Sequence, residues 1–342
     1  VNLAEHEKNG TTFVVADVAQ AHDGSVGILH SFVDAAAGTG INAIKFQIHI
    51  ANAESSSQEP FRVKFSYVDA TRFDYWKRME LTPEQWSEVK THCKKANIEF
   101  LATPFSNAAV DLLKNLGVER YKIGSGDAWN HLLLEKIAGT GKEVILSTGL
   151  GALEELDASV KLFRERKVPH AILQSTTKYP TEAPDIGLGW LATFRERYKC
   201  PVGLSDHSGT IYPGLGAVAL GASIVEAHIA FDKRMFGPDA RASLTVDEFA
   251  KLVEGIRFLE KARGNGPDKS LHESKQELRR MFGKALAVNK NLSADHKIRF
   301  EDLEGKKPGD CGIPIGEYKS VLGRELAYDK QAWDFLKQDD LK

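Results

Sequence analysis

Gly203-Leu204-Ser205-Asp206-His207-Ser208, read together with Ile224-Val225-Glu226-Ala227-His228, decides the fold. Both are short apolar runs that end in polar groups, as β-strands do when their carboxyl ends open into a site. Residues two apart on a strand share a face, so Ser205 points with His207 and Glu226 with His228. If the two are neighbouring parallel strands of a barrel, the histidines meet at its mouth as a pair suited to a divalent metal. The alternative is a pair of hydrogen-bonded strand-end histidines, and spacing alone does not separate the two readings.

The pattern recurs outward from this centre. Strand candidates fall at 12–18, 43–49, 99–105, 120–126, 143–149, 171–177, 202–208 and 224–230, each followed by a helix-compatible stretch. Ile28, Leu29, Phe32, Val33 and Ala36 recur at helical spacing before Gly38 and Gly40. Thr82-Pro83-Glu84-Gln85 and Thr245-Val246-Asp247-Glu248 are capping boxes. Eight strand-helix units over about 260 residues predict an α/β fold of the (β/α)8 TIM-barrel type. A doubly wound sheet would carry a glycine-rich nucleotide turn after an early strand, and the segment from Asp17 to Gly24 is not one. The stretch 51–80 is long and irregular, which predicts a lid over the site.

The barrel is expected over 1–263. Gly264-Asn265-Gly266-Pro267-Asp268 is a breaker cluster opening a charged linker over 264–283. From 284 to 342 the segments are short and turn-rich, predicting a small β-rich domain that docks onto the barrel or another subunit.

Lys+Arg 45 against Asp+Glu 47 leaves a net charge of -2. So balanced a surface argues against nucleic acid and anionic membranes as partners, while leaving room for a small anionic substrate. Cys93, Cys200 and Cys311 form neither a disulfide framework nor a zinc ribbon. No apolar run approaches the ~20 residues that span a bilayer, so a cytoplasmic location is expected.

Barrel enzymes place their chemistry at the C-terminal ends of the strands. Those ends supply Asp17, His22, Lys45, Gln47, Thr103, Lys122, Ser125, Asp127, Ser147, Thr148, Thr176, Thr177, Tyr179, Ser205, Asp206, His207, Glu226 and His228. Two lysines on buried strands are the informative part, because an unpaired buried ammonium is costly. With Gly124-Ser125-Gly126 and Ser147-Thr148-Gly149 they could enclose a phosphate. A Schiff-base nucleophile or a structural ion pair would serve either lysine alone equally well.

In order along the chain, Ala16-Asp17, His22-Asp23-Gly24, Lys45-Phe46-Gln47, Ala102-Thr103-Pro104-Phe105, Lys122-Ile123-Gly124-Ser125-Gly126, Ser147-Thr148-Gly149, Tyr179-Pro180-Thr181, Gly203 to Ser208 and Gly237-Pro238-Asp239 resemble the sialic acid synthase (N-acetylneuraminate synthase) family. Glu301-Asp302-Leu303, Lys306-Lys307-Pro308-Gly309 and Leu322-Gly323-Arg324 resemble its antifreeze-like (SAF) domain. The resemblance implies condensation of phosphoenolpyruvate with an N-acylated amino sugar such as N-acetylmannosamine, giving a nine-carbon acid and phosphate. It implies that His207 and His228 bind Mn2+ (or Mg2+ or Co2+), and that Lys45, Lys122, Ser125, Ser147 and Ser205 hold phosphoenolpyruvate. Gln47, Thr103, Thr177, Tyr179 and Asp239 would meet the substrates beside them, in a homodimer whose antifreeze-like domains swap to cover the partner's barrel.

The departures from the family bear on catalysis. Asp17 and Asp127 stand where the family usually has glutamate, Ala21 where it has asparagine, and Lys307 where a tail arginine reaches the sugar's acyl group. A shortened carboxylate retracts its oxygens by about a bond length, and ~1 Å of misplacement can cost about a hundredfold in rate. Lysine lacks arginine's planar fork. The acceptor is therefore expected to be N-acetylmannosamine or a related hexose, with the metal and phosphate sites read more firmly than the sugar contacts. The rival readings are a non-catalytic sugar- or phosphoenolpyruvate-binding homologue and a Schiff-base pyruvate aldolase.

Overall fold

The computed structural model describes residues 2–264, 266 and 273–342. The chain divides into two compact units, Val1–Gly264 and Asn265–Lys342. Of the linker expected over 264–283, residues 265 and 267–272 lie outside the described residues, and Glu273–Phe282 forms a helix.

Eight parallel strands build the first unit: β1 (Phe13–Ala19), β2 (Ala43–Ile48), β3 (Glu99–Pro104), β4 (Arg120–Ile123), β5 (Glu143–Ser147), β6 (His170–Ser175), β7 (Val202–Asp206) and β8 (Ile224–Ala230). Each pairs with the next, and β1 pairs with β8, closing a (β/α)8 barrel. Alternation along each strand sorts the side chains. On β1, Val14, Ala16 and Val18 face outward and pack with Leu29, Phe32 and Val33 of the helix Val26–Ala37. Phe13 and Val15 face inward, joining Ala43, Leu101, Ile145, Ala171, Leu173 and Ile224 in a separate buried cluster that Leu3 of the N-terminal helix completes. The same inward stripes continue as Asp17, Lys45, Thr103, Lys122, Ser147, Ser205 and Glu226, all buried. The barrel interior is thus apolar at its floor and polar at its mouth. Removing one fully buried outer residue, as in Phe32→Ala, costs about 3–5 kcal/mol because the helix cannot collapse into the space.

Most strands end one to three residues earlier than their sequence pattern predicts. After Ile123, for example, the chain turns into a single 3-10 turn, Ser125–Asp127, whose short side chains and glycines line the mouth. Glycine is required at 203, where a Cβ would lie 2.2 Å from the carbonyl oxygen of Ile224 on the adjacent strand. Both predicted capping boxes form: Thr82 with Gln85, and Thr245 with Glu248.

The stretch expected as an irregular lid has partial order of its own. The helices Ala51–Glu54 and Arg72–Met79 bracket it, and Tyr75, Trp76 and Met79 bury themselves with Ala51 against Phe61, Phe65 and Phe73. This small core holds an excursion whose polar residues reach the barrel mouth.

The second unit contains the antiparallel strands Ala285–Val288 and Leu303–Lys306 around a core of Leu286, Val288, Leu292, Ile298, Ile313, Val321, Leu326, Leu336 and Leu341. Short bridges such as Ala285 with Pro314 and Lys297 with Glu325 replace longer ladders. Asp302 is buried among them. Lys290 Nζ lies 2.7 Å from one of its oxygens, while the other lies 2.7 Å from His296 Nε2 and accepts from Arg299 N–H at 2.9 Å.

Candidate active site at the barrel mouth

A cavity of about 420 Å³ opens at the strand carboxyl ends. Register explains its deepest layer: Asp17 lies beside Lys45 on one side and His228 on the other, and Ser205 lies beside Glu226. Lys45 Nζ sits 3.0 Å from both Asp17 Oδ2 and Glu226 Oε1, and Lys122 Nζ sits 3.2 Å from the same Glu226 oxygen. Lys122 also donates to Ser147 Oγ at 2.7 Å, and Ser205 donates to Glu226 Oε1 at 2.9 Å. Two ammonium groups and two carboxylates are formally balanced.

Their titration shows who depends on whom. Burial alone would lower Lys45, but Asp17 and Glu226 outweigh it and hold the ammonium above its usual value. Burial pushes Lys122 down to about 8, with Glu226 opposing and Lys45 assisting the fall. Burial would raise Glu226, yet Lys122 and Lys45 hold it well below the usual carboxylate range. Glu226 Oε2 is nevertheless buried without a partner, as are Thr103 Oγ1, Ser175 Oγ and Thr177 Oγ1. Buried polar atoms are rarely left so, and a cluster of them in one cavity marks a ligand site.

Above this layer stand the histidines, with ring centroids 5.1 Å apart. His207 Nδ1 donates to the carbonyl of Thr176 at 3.1 Å, which leaves Nε2 with its lone pair, 3.2 Å from Tyr179 Oη. Burial, with His228 nearby, holds His207 well below its usual pKa and therefore neutral. His228 Nε2 is 3.3 Å from Asp17 Oδ2, and its Nδ1 is buried without a partner. Two imidazoles this close, each with one nitrogen held by a protein oxygen, suit a borderline divalent metal. Among the described residues no group of three or more His, Cys, Asp or Glu side chains is arranged to hold a metal, so water and substrate would supply the ligands beyond the pair.

The structure brings most of the sequence-predicted site residues into this cavity, but His22, Thr148, Thr176 and Asp206 do not line it. Asp17, Lys45, Gln47, Thr103, Lys122, Ser125, Asp127, Ser147, Thr177, Tyr179, Ser205, His207, His228 and Asp239 all line it. Ser125 Oγ accepts from Gly149 N–H at 3.0 Å, which aims its own proton elsewhere. Asp127 accepts from Asn130 Nδ2 at 2.9 Å, and burial raises its pKa. Burial, with Asp239 near, raises Tyr179 too, so its phenol stays protonated. Lys307 belongs to the second unit, where its Nζ lies 5.4 Å above the Phe282 ring.

Sequence reasoning placed the 51–80 stretch over the site but named none of the residues it contributes. Arg62 pairs with Asp239 at 2.8 Å and lies 4.2 Å over the Tyr179 ring, while Glu54, Glu59, Arg72 and Trp76 line the same wall. It also named Glu226 among the strand ends without giving it a role. The signal was there: a carboxylate inside an apolar strand, two residues from His228 and on the same face.

Comparison with known proteins fits this geometry. Residues 32–292 match the family model described as "NeuB family". An N,N'-diacetyllegionaminic acid synthase from Campylobacter jejuni is 32% identical over 319 residues, 92% of this chain and 95% of that one. A pseudaminic acid synthase from the same species is 30% identical over 96% of each chain. The crystal structure of an N-acetylneuraminic acid synthetase from Leptospira borgpetersenii, in complex with citrate, superposes with a TM-score of 0.69 at 33% identity, covering 79% of this chain and 90% of that one. No helix among the described residues is long and apolar enough to cross a membrane.

Proposed function

The chain belongs to the NeuB family, and on that premise we propose that it joins phosphoenolpyruvate to an N-acylated amino sugar, giving a nine-carbon nonulosonic acid and phosphate. A carbon–carbon bond forms between the methylene carbon of phosphoenolpyruvate and the sugar aldehyde, and water adds at the neighbouring carbon as phosphate leaves.

The observation that carries the reading is the buried pair Lys45 and Lys122 sharing one oxygen of Glu226, with Ser147 and Ser205 attached. Charge-assisted donors converging in a dry pocket suit a small polyanion. An anion seated here would keep Lys122 protonated against the burial that weakens it. Glu226 and Asp17 hold the two ammonium groups in place while the pocket is free. Asp17 also approaches His228, linking the anion layer to the histidines. Tyr179 and Asp239, one layer out, face the acceptor.

The histidine pair fits a divalent metal, for which we propose Mn2+, with Mg2+ or Co2+ as substitutes. Such an ion supplies Lewis-acid polarisation of an aldehyde oxygen and an acidified water. The second unit is proposed to act as an antifreeze-like domain over a partner subunit's barrel, carrying Lys307 to the acceptor.

One observation favours the Schiff-base aldolase as a second reading: a lysine pushed down to about 8 by burial is nucleophilic near neutral pH. The deciding assay supplies phosphoenolpyruvate and a panel of N-acylated hexosamines with Mn2+. Acceptor-dependent phosphate release, matched mole for mole by nonulosonic acid, is expected. No such release, together with borohydride trapping of pyruvate on Lys122 or Lys45, would replace the proposal with the aldolase.

A further inference from the structure

The ends of β1 and β2, with the short helix that follows β2, bring together a chain of side chains that the condensation itself does not require. Gln20 Nε2 donates to Gln47 Oε1 at 2.7 Å, and the same nitrogen lies 2.7 Å from His49 Nε2. His49 Nδ1 lies 2.6 Å from Glu54 Oε1, and Glu54 Oε2 accepts from Ile50 N–H at 3.3 Å. The His49 ring is clamped between Trp76 and Phe105, with centroids 4.0 and 4.6 Å away and planes within 17° and 9°. Gln20 and His49 are both buried, at 3% exposure each. The placement of Gln20 is local: the register slips between Asp17 and Ala19, and Ala19 adopts φ +46°, a conformation unusual for alanine. Strain of this kind persists where the surroundings over-determine it, and it clusters at functional sites.

Donor and acceptor logic fixes the whole chain from one end. A carboxylate can only accept, so His49 carries a proton on Nδ1, and in the neutral ring Nε2 then offers a lone pair. Gln20 must then turn its NH2 toward His49. Its second N–H meets Gln47, which must turn its carbonyl toward Gln20. Gln47 is left with only its NH2 to offer the cavity it lines.

Gln47 lies two residues beyond Lys45 on the same face of β2, about 6–7 Å nearer the mouth, in register with Thr103. That position is above the lysine layer and on the wall of the cavity, level with Thr103. We propose that Glu54, His49 and Gln20 are positioning residues that lock the Gln47 amide as a donor, so that this point of the site recognises an accepting oxygen of the sugar. The proposal rests on the synthase reading for its ligand but not for its geometry.

The test has a substrate-free arm and a kinetic arm. Long-range 1H–15N spectra of the full-length protein should show His49 as the neutral Nδ1–H tautomer. An Nε2–H tautomer would overturn the relay whatever reaction the enzyme performs. In the kinetic arm, His49→Phe keeps the ring between Trp76 and Phe105 but removes both nitrogens. It should raise the KM for the sugar about tenfold while changing the KM for phosphoenolpyruvate less than twofold. Gln20→Glu replaces the donor with an oxygen, forcing the Gln47 carbonyl outward, and should raise the sugar KM similarly. Gln47→Glu should do the same, and its effect should shrink in the His49→Phe background, because the two act through one contact. Unchanged sugar KM in folded His49→Phe and Gln20→Glu, or equal rises for both substrates, would refute the proposal. A wild-type enzyme that releases no phosphate with any acceptor would refute the synthase reading instead, leaving the tautomer to judge the relay.

Discussion

Glu226 in the barrel and Asp302 in the second unit are both buried carboxylates held by cations, and they differ in what they leave over. Asp302 has both oxygens engaged, by Lys290 on one and by His296 and the Arg299 N–H on the other. It ties three turns together and offers nothing further. Glu226 crowds Lys45, Lys122 and Ser205 onto one oxygen and leaves the second buried without a partner. A carboxylate whose neighbours are saturated is architecture, whereas one that gathers cations around unclaimed polar atoms is a binding site in waiting. The difference is legible without any ligand.

The largest break in this contrast should come from the barrel. Stripping divalent metal from the enzyme is expected to abolish turnover, with Mn2+ restoring most of it, while the circular dichroism spectrum stays unchanged. Full activity in a preparation verified as metal-free would remove His207 and His228 from the mechanism. Next in size is Lys122→Ala, expected to lower kcat/KM for phosphoenolpyruvate by about a hundredfold or more, since truncating a buried charge pair costs about 2–5 kcal/mol. The KM for the sugar should move far less. An equal effect on both substrates would give Lys122 a general architectural role.

Lys122 also sets a pH dependence. Burial pushes it down to about 8, so its charge is present below that pH and lost above it. The KM for phosphoenolpyruvate should therefore rise as pH climbs past about 8. A KM that stays flat between pH 7 and 9.5 would mean that the ammonium does not meet the anion.

Asp302→Asn tests the other side of the contrast. Lys290 and His296 are partly exposed, so the loss should be modest, about 2 kcal/mol in the stability of the second unit. Burial would raise the Asp302 pKa, but Lys290 and His296 outweigh it and hold it down at about 2. A carboxylate lowered on folding stabilises above its unfolded pKa, and that stability is lost as pH falls toward the folded value. The acid side of the second unit's melting curve should flatten in the variant. The smallest effect is expected from Lys307→Arg, a shift of a few-fold in preference toward N-acetylmannosamine, measured as a ratio of kcat/KM values. No shift would remove Lys307 from acceptor recognition.

The barrel was readable from its sequence because inward and outward stripes alternate so cleanly: Phe13, Val15 and Asp17 against Val14, Ala16 and Val18. Strand ends were read too long since Ser, Thr and Gly are as compatible with a turn as with an extended chain. The strand-end residues of the site followed from the barrel itself. Arg62, Glu54 and the clamp around His49 did not, because they reach the mouth from an excursion held by its own aromatic core, and no period in the sequence encodes that approach. Glu226 was recoverable from its strand, and its importance shows only once two lysines from other strands are seen to share its oxygen.

The apolar floor of the barrel has a consequence for traffic. With Leu3, Phe13, Val15 and their neighbours filling the lower end, the lysine layer opens, among the described residues, toward the mouth that Gln47, Tyr179 and the histidines line. In the proposed reaction the anion would be seated before the sugar, and the released phosphate would wait beneath the new acid for that acid to leave.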